Sequence, residues 1–176
     1  MYEVVTLLQL DVARLKKSPG DFARYELLAE LPPLELSGER FNFSGPVNAS
    51  LVVHNNGSTL SVGGMVSGGL RLTCCRCLET FDFLFEVPIE ETYSQTAGRG
   101  REEEVPFSGD VIDATPEVLK SIILALPMKA VCRDRCPGLC PKCGHNLNEG
   151  ACDCAGEDID PRLSVLKELL KDKQSI

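Results

Sequence analysis

Nine cysteines carry the chemistry available to this 176-residue chain. Cys74, Cys75 and Cys77 lie together, and Cys132, Cys136, Cys140, Cys143, Cys152 and Cys154 follow in the last quarter. Thiolates in groups of four are what a tetrahedral Zn²⁺ takes, so eight of the nine sort into two such sets and two zinc ions per chain are expected. The first residues, Met1-Tyr2-Glu3-Val4-Val5, show no basic stretch followed by a long apolar one, so a cytoplasmic location is expected. In that reducing compartment a disulfide framework is disfavoured, and the odd number of cysteines agrees.

Spacing gives the sets their membership. Cys140-Pro141-Lys142-Cys143 lets the chain wrap a tight turn and present two sulfurs at about 2.3 Å from one ion. Gly144 follows with freedom for positive φ. Cys152 and Cys154 lie a short loop away and complete a zinc knuckle over residues 137–156. Cys74, Cys77, Cys132 and Cys136 remain as the second set, and joining them closes a loop of more than fifty residues. The other pairing, Cys132, Cys136, Cys140 and Cys143 against Cys74, Cys77, Cys152 and Cys154, stays open on spacing alone. Cys75 is left free, although it can replace Cys74. His54 and His145 read as exposed or supporting groups rather than ligands.

Four thiolates close a site, whereas a catalytic zinc keeps a position for water or substrate. No H-x-E or H-E-x-x-H pair accompanies the cysteines. Redox catalysis wants a C-x-x-C at a helix N-terminus, and Cys74 and Cys77 lie instead between β-like segments. Glycine-rich phosphate loops are absent as well. The expectation is a non-enzymatic protein.

The elements that must position these groups suggest an α+β fold. Residues 1–94 read as an antiparallel, β-rich core. Pro46–His54 alternates apolar and polar residues, Asn55-Asn56-Gly57 supplies a turn, and Ser58–Val62 resumes the alternation. Gly63-Gly64 and Gly68-Gly69 punctuate the next strands, and segments 69–73 and 80–87 flank the first cysteines as a hairpin. Val4–Leu10 suggests a strand, and Asp11–Lys17 a helical turn. Residues 95–112 read as an exposed polar loop. In 113–136, a helix starting with Thr115 as N-cap and Pro116 at its first turn carries Leu119, Ile122, Ile123 and Leu126 on its apolar side and leads to the second Cys pair. An amphipathic C-terminal helix over 157–176 starts at Asp160-Pro161 and carries Leu163, Leu166, Leu169 and Leu170. The longest apolar run, Ile122–Met128, is far short of a membrane span.

Formal charge is −8, and two Zn(Cys)₄ centres would take it to about −12. Bulk charge therefore cannot attract nucleic acid. A local patch can, and Lys129, Arg133, Arg135 and Lys142 surround the thiolates with only Asp134 opposing them. These cations offset thiolate charge or meet phosphate, and both readings stand. The partner is otherwise a basic protein. No small-molecule substrate or membrane role is evident.

Leu72-Thr73-Cys74-Cys75-Arg76-Cys77-Leu78, Ile122–Pro127, the run Cys132–Asn148 and Cys152-Asp153-Cys154 with Asp160-Pro161-Arg162 succeed one another in an order that resembles the YceD family of large ribosomal RNA subunit accumulation proteins. The resemblance implies a bacterial-type factor supporting large-subunit rRNA accumulation and ribosome assembly, with precursor rRNA or a ribosomal protein as partner. It also implies Cys74 and Cys77 as the family pair, with Cys75 outside it. A zinc-ribbon transcription or adaptor protein is the alternative class.

Overall fold

Strict alternation builds the central strands. In β6 (Val47–Asn55), Val47, Ala49, Leu51, Val53 and Asn55 are buried while Asn48, Ser50 and His54 face out. The computed structural model describes residues 4–5, 7–36, 38–95 and 104–154. Around β6 lie β1 (Val4–Val5), β2 (Gln9–Asp11), a 3₁₀ turn (Leu15–Lys17), β3 (Phe22–Ala29), β4 (Leu34–Leu36) and β5 (Glu39–Phe41). Then come β7 (Thr59–Thr73), β8 (Thr80–Ser94), β9 (Glu104–Pro106), β10 (Val111–Asp113) and α1 (Thr115–Ala125).

The main sheet has the order β1-β3-β6-β7-β8-β9. Its interior pairs are antiparallel, and the short edge strands β1 and β9 join in parallel. A ribbon of β10 on β2 and the helix α1, which packs on β8, complete the core. Leu8, Leu10, Val12, Ile112, Val118 and Ile122 from these outer pieces are fully buried in one cluster with Leu51, Val53, Val62, Val66 and Leu70 of the sheet. The fold is thus strand-rich, and α1 is the one α-helix among the described residues.

The β6–β7 turn forms at Asn55–Ser58 as its alternation and Asn-Gly sequence suggest, with Gly57 at φ +92°. Asn55 ties it down: its side chain donates to the Leu15 carbonyl at 2.7 Å and accepts from the Gly57 N–H at 2.7 Å. This buried amide joins the turn to the 3₁₀ segment.

Three expectations need correction. Gly63-Gly64 and Gly68-Gly69 do not break the chain: β7 runs through both pairs for 15 residues, held by continuous ladders to β6 and β8. The stretch 95–112 is not simply a loop, because it contains β9 and the first residues of β10. Val105 packs against the core, and Phe107 meets Tyr93 edge-on at 6.4 Å. Thr115 does not cap α1. Ala114 occupies that position without a side-chain bond, and the Thr115 hydroxyl accepts from the Leu8 N–H at 2.9 Å instead. The expected C-terminal helix over 157–176 lies outside the described residues.

Candidate metal centre

The β7–β8 hairpin ends in a turn that folds its cysteines inward. The Cys74 N–H donates to the Glu79 carbonyl and the Leu78 N–H to the Cys74 carbonyl, at 2.8 and 2.9 Å. Leu78 takes a left-handed φ of +61° to close this turn. Cys74 and Cys77 are consequently buried, while Cys75 faces solvent. The Cys75 N–H donates to the Ala130 carbonyl at 2.8 Å, drawing in the segment after α1.

That segment supplies the other two sulfurs. Cys136 is held in a turn by its N–H bond to the Arg133 carbonyl at 3.0 Å. Cys74 and Cys136 sulfurs lie 3.9 Å apart, and those of Cys77 and Cys132 lie 3.7 Å apart. Four sulfurs at about 2.3 Å from a central ion, at tetrahedral angles, stand about 3.8 Å from one another. The arrangement fits a metal ion without rearrangement.

A second quartet forms beside it. Cys140, Cys143, Cys152 and Cys154 bring their sulfurs within 4.8 Å of one another, as do those of the first quartet. Here the Gly144 N–H donates to the Cys140 carbonyl at 2.9 Å and the Cys140 N–H to the His145 carbonyl at 2.8 Å. Gly144 has φ +73°, the conformation that its place after the C-x-x-C turn calls for.

The electrostatics suit a cation. Burial pushes the Cys74 thiol up most strongly, but backbone N–H groups of Cys77, Cys132 and Arg76 together draw it down to about 6. Cys140 is likewise drawn down to about 6, first by the backbone N–H groups of Cys143 and Lys142. Within the same quartets, burial and the neighbouring sulfurs push Cys132 up to about 12. Cys143 and then burial push Cys154 up to about 12. Each cluster thus has a ready thiolate and a reluctant one, and a dication makes the full set favourable. An ion held by all four sulfurs of either cluster would keep no open position for water or substrate.

The eight cysteines fall into the two sets that the knuckle spacing suggests, and the alternative pairing is not the one the fold assembles. Lys129, Arg133, Arg135 and Lys142 are all exposed around them, with the Arg133 guanidinium donating to the Asn148 carboxamide. His54 lies on the sheet, apart from both clusters, and His145 contributes its carbonyl.

Two supporting residues carry no clear mark in the sequence. Arg76, at the hairpin tip, donates to the Cys136 carbonyl at 3.0 Å and the Asp134 carbonyl at 3.4 Å. Its own carbonyl accepts from the Leu139 N–H at 3.1 Å, against Gly138 at φ +79°. Asn148 donates to the Cys136 sulfur at 3.4 Å and is the largest influence lowering that thiol's pKa. An arginine between the hairpin cysteines is the one signal for the first; nothing in spacing marks the second.

Fold and site together define a β-sheet protein with two four-cysteine clusters, one shared between the β7–β8 hairpin tip and the segment after α1, the other within the C-terminal knuckle. The chain belongs to the YceD family: residues 62–170 match the family of the large ribosomal RNA subunit accumulation protein YceD. An uncharacterized protein of Mycobacterium tuberculosis is 31% identical, over 95% of this chain and 83% of the relative. The large ribosomal RNA subunit accumulation protein YCED homolog 1, chloroplastic, of Arabidopsis thaliana is 28% identical over 74% of this chain and 51% of its own length. The Bacillus subtilis protein YlbN is 24% identical over 91% of this chain and 95% of its own. No solved structure matches the chain. Among the described residues, no helix is long and apolar enough to cross a membrane.

Proposed function

We propose that this chain is a non-enzymatic cytoplasmic factor for large-subunit rRNA accumulation. It binds precursor rRNA through Lys129, Arg133, Arg135 and Lys142, with Zn²⁺ in both cysteine clusters. The observation that carries the reading is the placement of four exposed cations on or just before the segments that hold the sulfurs, in a chain whose formal charge is −8. Phosphate contact needs concentrated cations where the net charge is unfavourable. The metal fixes the turns that present them, so it acts on binding without touching RNA. Membership of the family supports the process, and the name of the Arabidopsis relative points the same way.

Zinc is the ion favoured by all-thiolate, four-coordinate sites. Affinity purification of the tagged chain, followed by identification of what is bound, tests the function. Large-subunit rRNA precursors are expected. A ribosomal protein retained after nuclease treatment would move the contact from RNA to protein, and polymerase or promoter DNA would favour a zinc-ribbon transcription or adaptor protein instead.

A further inference from the structure

The outer face of the sheet carries a feature unrelated to the cysteines. Phe22, at the start of β3, is 50% exposed. The register sets it opposite His54, with Arg24 opposite Val52. Val52 is in turn opposite Gly63. The Phe22 and His54 rings stand 5.5 Å apart with planes tilted by 33°, and the Arg24 guanidinium carbon lies 5.8 Å from the Phe22 ring centre. With Val52, Gly63 and Gly64 these groups line a shallow hollow of about 430 Å³.

The two glycines have different causes. A Cβ at Gly64 would collide with the Ser50 carbonyl oxygen and come within 2.9 Å of the Leu51 Cα, so the sheet itself requires that glycine. Gly63 has no such constraint, because the nearest atom to a Cβ there is the Ile89 carbonyl oxygen at 3.8 Å. A glycine weakens a strand interior and is found there at bulges, at tight bends and where a ligand or another backbone approaches closely. The ladders run through Gly63 without a bulge, and we read its place as one of close approach.

Charge narrows the ligand. Glu90 is opposite Gly63, and Glu26 accepts from the Ser50 hydroxyl at 2.7 Å on the same face. Those carboxylates offset the positive charge of Arg24 in the lining, so the hollow suits a flat, uncharged group. Aromatic, imidazole and guanidinium planes on an open sheet stack unpaired bases, and a nearby carboxylate can accept from a base amino group.

We propose that Phe22, His54 and Arg24, beside the space left by Gly63, form a stacking site for an unpaired nucleobase of RNA. This rests on the RNA-binding function proposed for the metal-centre cations and adds a base contact to the phosphate contacts made there.

The test titrates the full, metal-loaded chain with a fluorescein-labelled oligoadenylate and with an abasic strand of equal length, at fixed salt. The native chain is expected to prefer the oligoadenylate. Phe22→Ala should weaken that binding by on the order of tenfold and leave the abasic strand unchanged. Gly63→Val, which fills the hollow where a Cβ has room, should give the same loss, and Phe22→Tyr should keep native affinity. Circular dichroism confirms folding, and the valine variant decides the question if the alanine variant is unfolded. Equal affinity of the native chain for both strands, or native oligoadenylate affinity in Phe22→Ala and Gly63→Val, overturns the proposal; the second result is also what a protein ligand on this face would give. Large-subunit precursors that still co-purify in that case leave the wider function standing and remove only the stacking site.

Discussion

The Cys77 sulfur lies 3.7 Å from the Cys132 sulfur, although 55 residues separate them in the chain. One ion held by this cluster would join the tip of the β7–β8 hairpin to the segment after α1. Structural zinc contributes an apparent ~10–16 kcal/mol, comparable with the roughly 5–15 kcal/mol net stability of a whole domain.

The two clusters should therefore respond differently to loss of a ligand. Cys136→Ser, at the buried junction, should lose one zinc and lower the melting temperature of the whole chain. Cys143→Ser, in the exposed turn of the knuckle, should also lose one zinc but leave the sheet's cooperative transition nearly intact. Metal content per chain, measured alongside thermal unfolding, checks both. Native stability in a Cys136→Ser variant that has lost one zinc would remove the stapling role.

Metal affinity should rise with pH. Without metal, Cys132 and Cys154 keep their protons up to about 12, while Cys74 and Cys140 ionise near 6. The metal-bound form holds none of these protons, so binding releases protons at neutral pH and strengthens as pH increases. Below about 6 the first pair also becomes protonated, and affinity should fall more steeply with acid. Competition with a chromogenic chelator across pH, with proton release monitored by an indicator, measures the slope and its sign.

Arg76→Ala should loosen the junction without removing a ligand. Two carbonyls, those of Asp134 and Cys136, lose a charged donor. The side chain is exposed, so water replaces part of the interaction, and the expected cost is about 1 kcal/mol in chemical denaturation. Zinc content should stay at the native value.

Neighbouring glycines in β7 should behave oppositely. Gly63→Ala has open space and should change stability by no more than about 0.5 kcal/mol. Gly64→Ala must displace backbone at Ser50 and Leu51, a cost of about 1–3 kcal/mol by the usual penalty for overpacking. Urea denaturation of the two variants compares them directly.

Residues whose structure depends on close neighbours were readable from sequence. Cys140 to Cys143 fix a knuckle by spacing, and Val47 to Asn55 announce a half-buried strand by alternation. Other features depend on distant partners. Val105 and Ile112 lie in a polar stretch and become core only because β8 and β2 pair beside them. Thr115 has the form of a cap, yet Leu8 claims its hydroxyl. Gly63-Gly64 resembles a break until strands on both sides supply a ladder that outweighs the local preference for a turn. Arg76 and Asn148 support the metal centre through contacts that cysteine spacing cannot reveal.

Ultraviolet crosslinking of the tagged chain to large-subunit rRNA precursors tests the central claim most directly, with the native chain compared with an Arg133→Glu, Arg135→Glu, Lys142→Glu triple variant of verified zinc content. The expected result is strong crosslinking by the native chain and its loss in the variant while both metals remain bound. Unchanged crosslinking in a zinc-replete variant would contradict the account.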